Sequence, residues 1–172
     1  GGGAVVGAVD GGLGGPLPEL AGRVRTARLQ MIATAPTDEL RLPRPVYRRY
    51  GFEYYQQLPN GRIALGGFRD QGGEGEWTDD ARPAAPVQEL LERFLREELG
   101  VRAPITHRWA ARVGYSSGVL PVFARVRGSV VAIGGYSGTG NVVGSALARE
   151  AVAVAVGDEA GLTGLFDLVD VG

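Results

Sequence analysis

The sequence predicts an α+β fold, with antiparallel strand pairs and one or two packed helices rather than a doubly wound parallel sheet. Three observations predict it. Phe52–Leu58 and Arg62–Phe68 are β-rich runs joined by Pro59-Asn60-Gly61, a hairpin signature. Leu120–Val126 and Ser129–Ile133 repeat the pattern across Arg127-Gly128. Pro86–Leu99 has the period of an amphipathic helix, with Leu90, Leu91, Phe94, Leu95 and Leu99 on one face.

Taken in order, Ala4–Val9 reads as a short apolar strand, followed by Asp10-Gly11-Gly12 and a Gly/Pro-rich loop to Pro18. Arg23–Thr34 alternates apolar and polar residues over a long strand, which Ala35-Pro36-Thr37-Asp38 breaks. The 52–68 hairpin comes next, then a polar, glycine-rich loop over Gln71–Trp77. In the 86–99 helix, Glu89–Arg93 and Glu92–Arg96 are i,i+4 pairs, and Gly100 is the expected C′ residue. Ile105–Tyr115 is a further strand, ahead of the second hairpin.

Composition narrows the chemistry. The 172 residues carry a net charge of −1 and no basic stripe, so nucleic acid is not the expected partner. No stretch reaches a membrane-spanning length and no secretory leader opens the chain, so a cytoplasmic location is expected. Cysteine is absent, which excludes disulfides and thiol-ligated metals. All 18 basic residues are arginine, so no lysine can form a Schiff base. His107 is the only histidine, and no zinc site or Ser-His-Asp triad is expected around it.

The richest stretch runs from Val130 to Gly144. A short apolar strand enters the turn Gly135-Tyr136-Ser137-Gly138-Thr139-Gly140-Asn141, and a small-residue helix, Ser145–Val156, leaves it with Asn141 as N-cap. Glycines allow a sharp turn and a close ligand approach, and free N–H groups at a helix start favour an electron-rich ligand edge. The same pattern also serves as a tight turn with no ligand.

Further along, Tyr54-Tyr55-Gln56-Gln57-Leu58-Pro59-Asn60-Gly61-Arg62-Ile63-Ala64-Leu65-Gly66-Gly67, Arg28–Pro36, and the segment from Trp109-Ala110 to Leu120-Pro121-Val122 stand in a fixed order around that turn. Together these segments resemble the FAD-dependent amine and amino-acid oxidoreductases of the D-amino-acid oxidase-like family, nearest its γ-glutamylputrescine oxidase and glycine oxidase branches. The resemblance implies FAD as cofactor, with the backbone amides of Gly135, Tyr136, Ser137, Gly138, Thr139, Gly140 and Asn141 meeting the flavin. It implies a small amine or amino acid as substrate, oxidised at a C–N bond. Tyr54 and Gln56 are the expected substrate-facing pair by that analogy. His107 and Trp109 lie two apart on one strand, hence on one face. Arg69 is the candidate partner of a substrate carboxylate.

Two departures qualify the resemblance. The G-x-G-x-x-G fingerprint for the ADP half of FAD is not found: Gly1–Gly7 looks similar, but no helix-forming run follows it. Gly118 stands where the family carries an aspartate. The expected organisation is therefore a residual strand and loop of a Rossmann-like FAD-binding domain over 1–22, its N-terminal part missing. A substrate domain follows over 23–126, then a C-terminal strand-turn-helix over 127–172. A non-catalytic binding module, or one subunit of a split flavoenzyme whose partner chain supplies the ADP site, are the alternatives.

Overall fold

A computed structural model describes residues 3–158, 161, 165, 166 and 168–171. The chain divides into two compact units, Gly1–Ala27 with Val113–Gly172, and Arg28–Arg112.

The first unit is built on a four-stranded mixed sheet. It contains β1 (Val5–Gly7) and, much later in the chain, the hairpin strands Val122–Val126 and Val130–Gly134 and the final strand Val169–Val171. The hairpin is closed by Arg127 and Gly128, both left-handed (φ +48° and +70°). Val130–Gly134 pairs in parallel with β1, and Val122–Val126 in parallel with Val169–Val171. Side-chain alternation loads both faces. Phe123, Val131 and Ile133 pack under the helix Val143–Val156 through Leu147, Ala151 and Val154. Ala124, Val126 and Ala132 pack against Leu13, Leu17 and Leu20 from the long loop after β1.

The second unit is a five-stranded sheet covered on one face. The sheet's strands in chain order are β2 (Val24–Thr34), β3 (Val46–Arg48), β4 (Glu53–Gln57), β5 (Ile63–Gly67) and β6 (Ile105–Ser116), arranged β3-β4-β5-β2-β6; the start of β2, through Ala27, and the end of β6, from Val113, fall in the first unit. With the first unit's strands taken as β7 (Val122–Val126), β8 (Val130–Gly134) and β9 (Val169–Val171), the chain is α+β, with the expected antiparallel hairpins and two parallel pairs. The β4–β5 turn closes on itself. Asn60 Oδ1 accepts the Arg62 N–H (3.2 Å), and Gly61 sits at φ +81°.

The expected polar loop after the hairpin is instead two short helical turns, α1 (Arg69–Gly72) and a 3-10 turn over Gly73–Glu76. The reason is Glu76, which is only 3% exposed. Its carboxylate accepts from Arg28 Nη2 (2.7 Å) and Nε (3.1 Å) and from Gln30 Nε2 (2.8 Å), pinning the segment to β2.

The amphipathic helix also differs from expectation. It is α-helical over α2 (Ala85–Arg93) and then widens into a π turn over Phe94–Glu98, where Leu99 N–H bonds the Phe94 carbonyl five residues back (3.1 Å). Consecutive Phe94 and Leu95 are both buried there, in a core with Ile32, Ile63, Leu65, Val87 and Leu91. Of the two expected i,i+4 pairs, Glu92–Arg96 closes at 3.6 Å.

Candidate functional site

The glycine-rich turn lies in the first unit, between β8 and α3 (Val143–Val156). β8 ends at Gly134, where a Cβ would stand 2.7 Å from Leu13 Cδ1 and 2.9 Å from the Asp10 carbonyl oxygen. The chain then enters Gly135 (φ +69°), Ser137 (φ +52°) and Gly138 (φ +90°). These left-handed values suit glycine and strain serine. Ser137 is held by its neighbours. Its N–H donates to the Gly114 carbonyl (2.8 Å), and its Oγ accepts from Ser116 N–H (3.3 Å).

The turn has an anchor that sequence reasoning missed. Asp10, itself left-handed (φ +49°), accepts the N–H groups of Gly135 (2.9 Å) and Tyr136 (3.2 Å) on Oδ1 and that of Gly114 (2.7 Å) on Oδ2. The available signal was an acidic residue between a short apolar strand and a glycine pair, a pattern that also fits an ordinary loop.

Beyond Tyr136, Thr139 N–H bonds the Tyr136 carbonyl (2.9 Å), and Val142 and Val143 N–H both bond the Thr139 carbonyl (3.1 Å each). Among the described residues, the N–H groups of Gly138, Gly140 and Asn141 take no protein acceptor. Asn141 is not the N-cap. Val142 holds that position without a side-chain cap, and the Asn141 carbonyl instead accepts from Ser145 Oγ (2.9 Å). Gly140 and Gly144 make room for the Tyr136 ring, which a Cβ at either would meet at 3.1 and 3.3 Å. Burial first, and then the Asp10 charge, push the Tyr136 phenol above its usual range. At Gly138 a Cβ would meet nothing within 4 Å.

The other expected site residues lie in the second unit. Strand alternation turns Tyr55 toward the helix-side core, where its ring meets Phe94 at 5.8 Å, so Tyr54 and Gln56 take the opposite face. The same alternation operates on β6. Arg108 faces α2, bonding Gln88 (3.1 Å) and Glu92, so His107 and Trp109 point away from it. Tyr54, Gln56, His107 and Trp109 therefore share the sheet face away from α2.

Tyr54 stacks on Tyr47 (5.8 Å) and lies over Gly66, where a Cβ would be 2.4 Å from the ring. Cross-strand register continues that row to Met31. Trp109 is 37% exposed, and His107 Nδ1 lies 2.9 Å from Thr106 Oγ1. Arg69 opens α1, its guanidinium 4.8 Å from the Trp77 ring centroid and 5.6 Å from that of Phe52. Among the described residues, no group of three or more His, Cys, Asp or Glu side chains could hold a metal ion, and no helix is long and apolar enough to cross a membrane.

A family model described as FAD dependent oxidoreductase matches residues 2–154. Iminodiacetate oxidase from Chelativorans sp. BNC1 is similar in structure, with a TM-score of 0.72 and 16% identity over 100% of this chain and 47% of its own. Glycine oxidase from Bacillus cereus ATCC 14579 gives 0.70 and 15%, over 92% and 44%. L-proline dehydrogenase from P. horikoshii gives 0.68 and 17%, over 93% and 45%. The chain thus spans just under half the length of these solved structures, and at such identities the likeness is one of fold. None of the curated proteins matches the sequence.

Proposed function

This chain belongs to the FAD-dependent oxidoreductase family, and from that premise we propose that it carries the substrate sheet and the distal flavin turn of an enzyme that oxidises an amine or amino acid at a C–N bond. The observation that carries the reading is the turn between β8 and α3. Among the described residues, Gly138, Gly140 and Asn141 offer N–H groups without a protein acceptor at a helix start, and Gly138 leaves open space. Such a nest suits the electron-rich edge of a flavin. The flavin, when bound, supplies the hydride acceptor for the carbon next to nitrogen.

In this reading the chain's own residues bind and orient. The sheet face with Tyr54, Gln56, His107 and Trp109 offers an aromatic wall and polar anchors that hold the substrate carbon in place and keep water from it. Arg69, stacked on Trp77, is the cation assigned to a substrate carboxylate. No strong side-chain base is required, because the substrate amine needs only to be held neutral. The neighbours named as acting on glycine, proline and iminodiacetate support small amino and imino acids as the substrate class.

A second reading assigns the ADP-binding half to a partner chain.

The deciding measurement is the visible spectrum of the purified chain with FAD, before and after denaturation. A perturbed flavin spectrum that reverts to that of free flavin on unfolding is expected. A protein that stays colourless with FAD alone, and gains flavin only with a chain carrying the dinucleotide fingerprint, would transfer the reading to the split enzyme. If neither binds flavin, both readings fall.

A further inference from the structure

We propose that Asp10 is the positioning residue of the Gly135–Asn141 turn: by taking the N–H groups of Gly114, Gly135 and Tyr136 it leaves Gly138, Gly140 and Asn141 as the donors offered to a ligand. That the ligand is a flavin rests on the reading above; that Asp10 divides the turn in two does not.

The geometry is specific to an aspartate. Its two oxygens divide the load, Oδ1 taking Gly135 and Tyr136 and Oδ2 taking Gly114. A carboxylate can accept several backbone N–H groups at once, in the way an anion occupies a nest. An asparagine would present an amide donor to at least one of these N–H groups, and donor would face donor. A glutamate would have to fit a longer stem into a space with no slack. A Cβ at Gly114 would stand 2.8 Å from Asp10 Oδ1, and one at Gly134 would stand 3.0 Å from Asp10 Cα.

The consequence concerns which amides meet the ligand. Of the seven turn residues singled out from the sequence, Gly135 and Tyr136 spend their N–H groups on Asp10, Ser137 on the Gly114 carbonyl and Thr139 on the Tyr136 carbonyl. The Asp10 charge offsets the positive end of the first two N–H dipoles. The electropositive face is thereby confined to the second half of the turn and the start of α3.

Amide NMR of the full chain tests this in two steps. In the wild-type protein, titration with FAD is expected to shift the Gly138, Gly140 and Asn141 amides most and those of Gly135 and Tyr136 least. The reverse order overturns the assignment. Asp10→Asn is then compared with Val126→Ala, a core change in the layer below the sheet. Both are measured at a temperature where each is folded. Asp10→Asn is expected to speed exchange of at least one of the Gly114, Gly135 and Tyr136 amides at least 100-fold and to weaken FAD binding at least 10-fold, while Val126→Ala leaves both unchanged. Equal effects from the two variants, or none from Asp10→Asn, would reduce Asp10 to a residue of general stability. If wild-type protein binds no FAD, the flavin reading fails and the exchange rates alone decide whether Asp10 sets the turn.

Discussion

Two acidic side chains tie distant parts of this chain together, one in each unit, and their partners differ in kind. Asp10 holds main chain: its donors are backbone N–H groups 104 to 126 positions away. Glu76 holds side chains: Arg28 and Gln30, 48 and 46 positions back along the chain. Backbone donors accompany any sequence, so the Asp10 tie depends on one carboxylate and on glycines that let strands approach. The Glu76 tie depends on three side chains, with Arg28 and Gln30 both spending donors on the one buried carboxylate. A tie to main chain fixes the path of a turn. A tie between side chains fixes a segment against a core.

The contrast breaks most sharply at Glu76. Glu76→Gln leaves the buried Arg28 guanidinium without its counter-charge, with an expected loss of about 3–5 kcal/mol. The urea midpoint measures it, and an unchanged midpoint at constant slope would remove Glu76 from the set of anchors.

At Asp10 the sensitive neighbours are glycines. Gly114→Ala brings a Cβ to 2.8 Å from both Asp10 Oδ1 and Gly11 N, for an expected cost of about 1–3 kcal/mol by thermal unfolding. A neutral result would mean that the strand can yield, and that the Asp10 site is looser than its distances.

Replacing the whole charged pair sharpens the difference. Arg28→Met with Glu76→Leu removes both charges, and stability should return to within about 2 kcal/mol of the parent. A double-mutant cycle with the single variants then isolates the coupling. No such repair exists at Asp10, whose partners contribute no side chains.

The smallest effect is expected at an exposed pair. Arg49 donates to Asp70 through Nη1 (2.8 Å), and that hydrogen bond holds the Asp70 carboxyl below its ordinary range. A depressed folded-state value means stability that is present above about pH 4 and lost as pH falls further. Asp70→Asn should flatten that acid limb by about 0.2–1 kcal/mol, the range of surface pairs. An acid limb identical to the parent's would assign the acid sensitivity elsewhere.

What was legible in the sequence follows the same division. The 52–68 hairpin is readable because its turn is closed by its own residues, Asn60 and Gly61. The apolar face of the 86–99 helix is readable because its spacing is local. The two turns over 69–76 are not, because Glu76 is buried only through Arg28 and Gln30, far back on β2. Asn141 is a sound N-cap by residue type, yet the cap falls at Val142, because Thr139 and Gly140 carbonyls already take the first helical N–H groups. On the second unit's sheet, alternation alone puts His107 with Trp109 and Tyr54 with Gln56. That the two pairs share a face needed the position of α2.

The π turn at Phe94–Glu98 has a consequence of another kind. It is a helix carrying one residue more than α geometry needs. Successive helical residues are rotated by roughly 100°. Deleting one residue within it would restore the α-helix and swing Leu99 and the buried Val101 about a quarter turn from their sites. The segment therefore tolerates an exchange of letters better than a change of length, and a single-codon deletion there is expected to harm folding more than a conservative replacement of any residue in the turn.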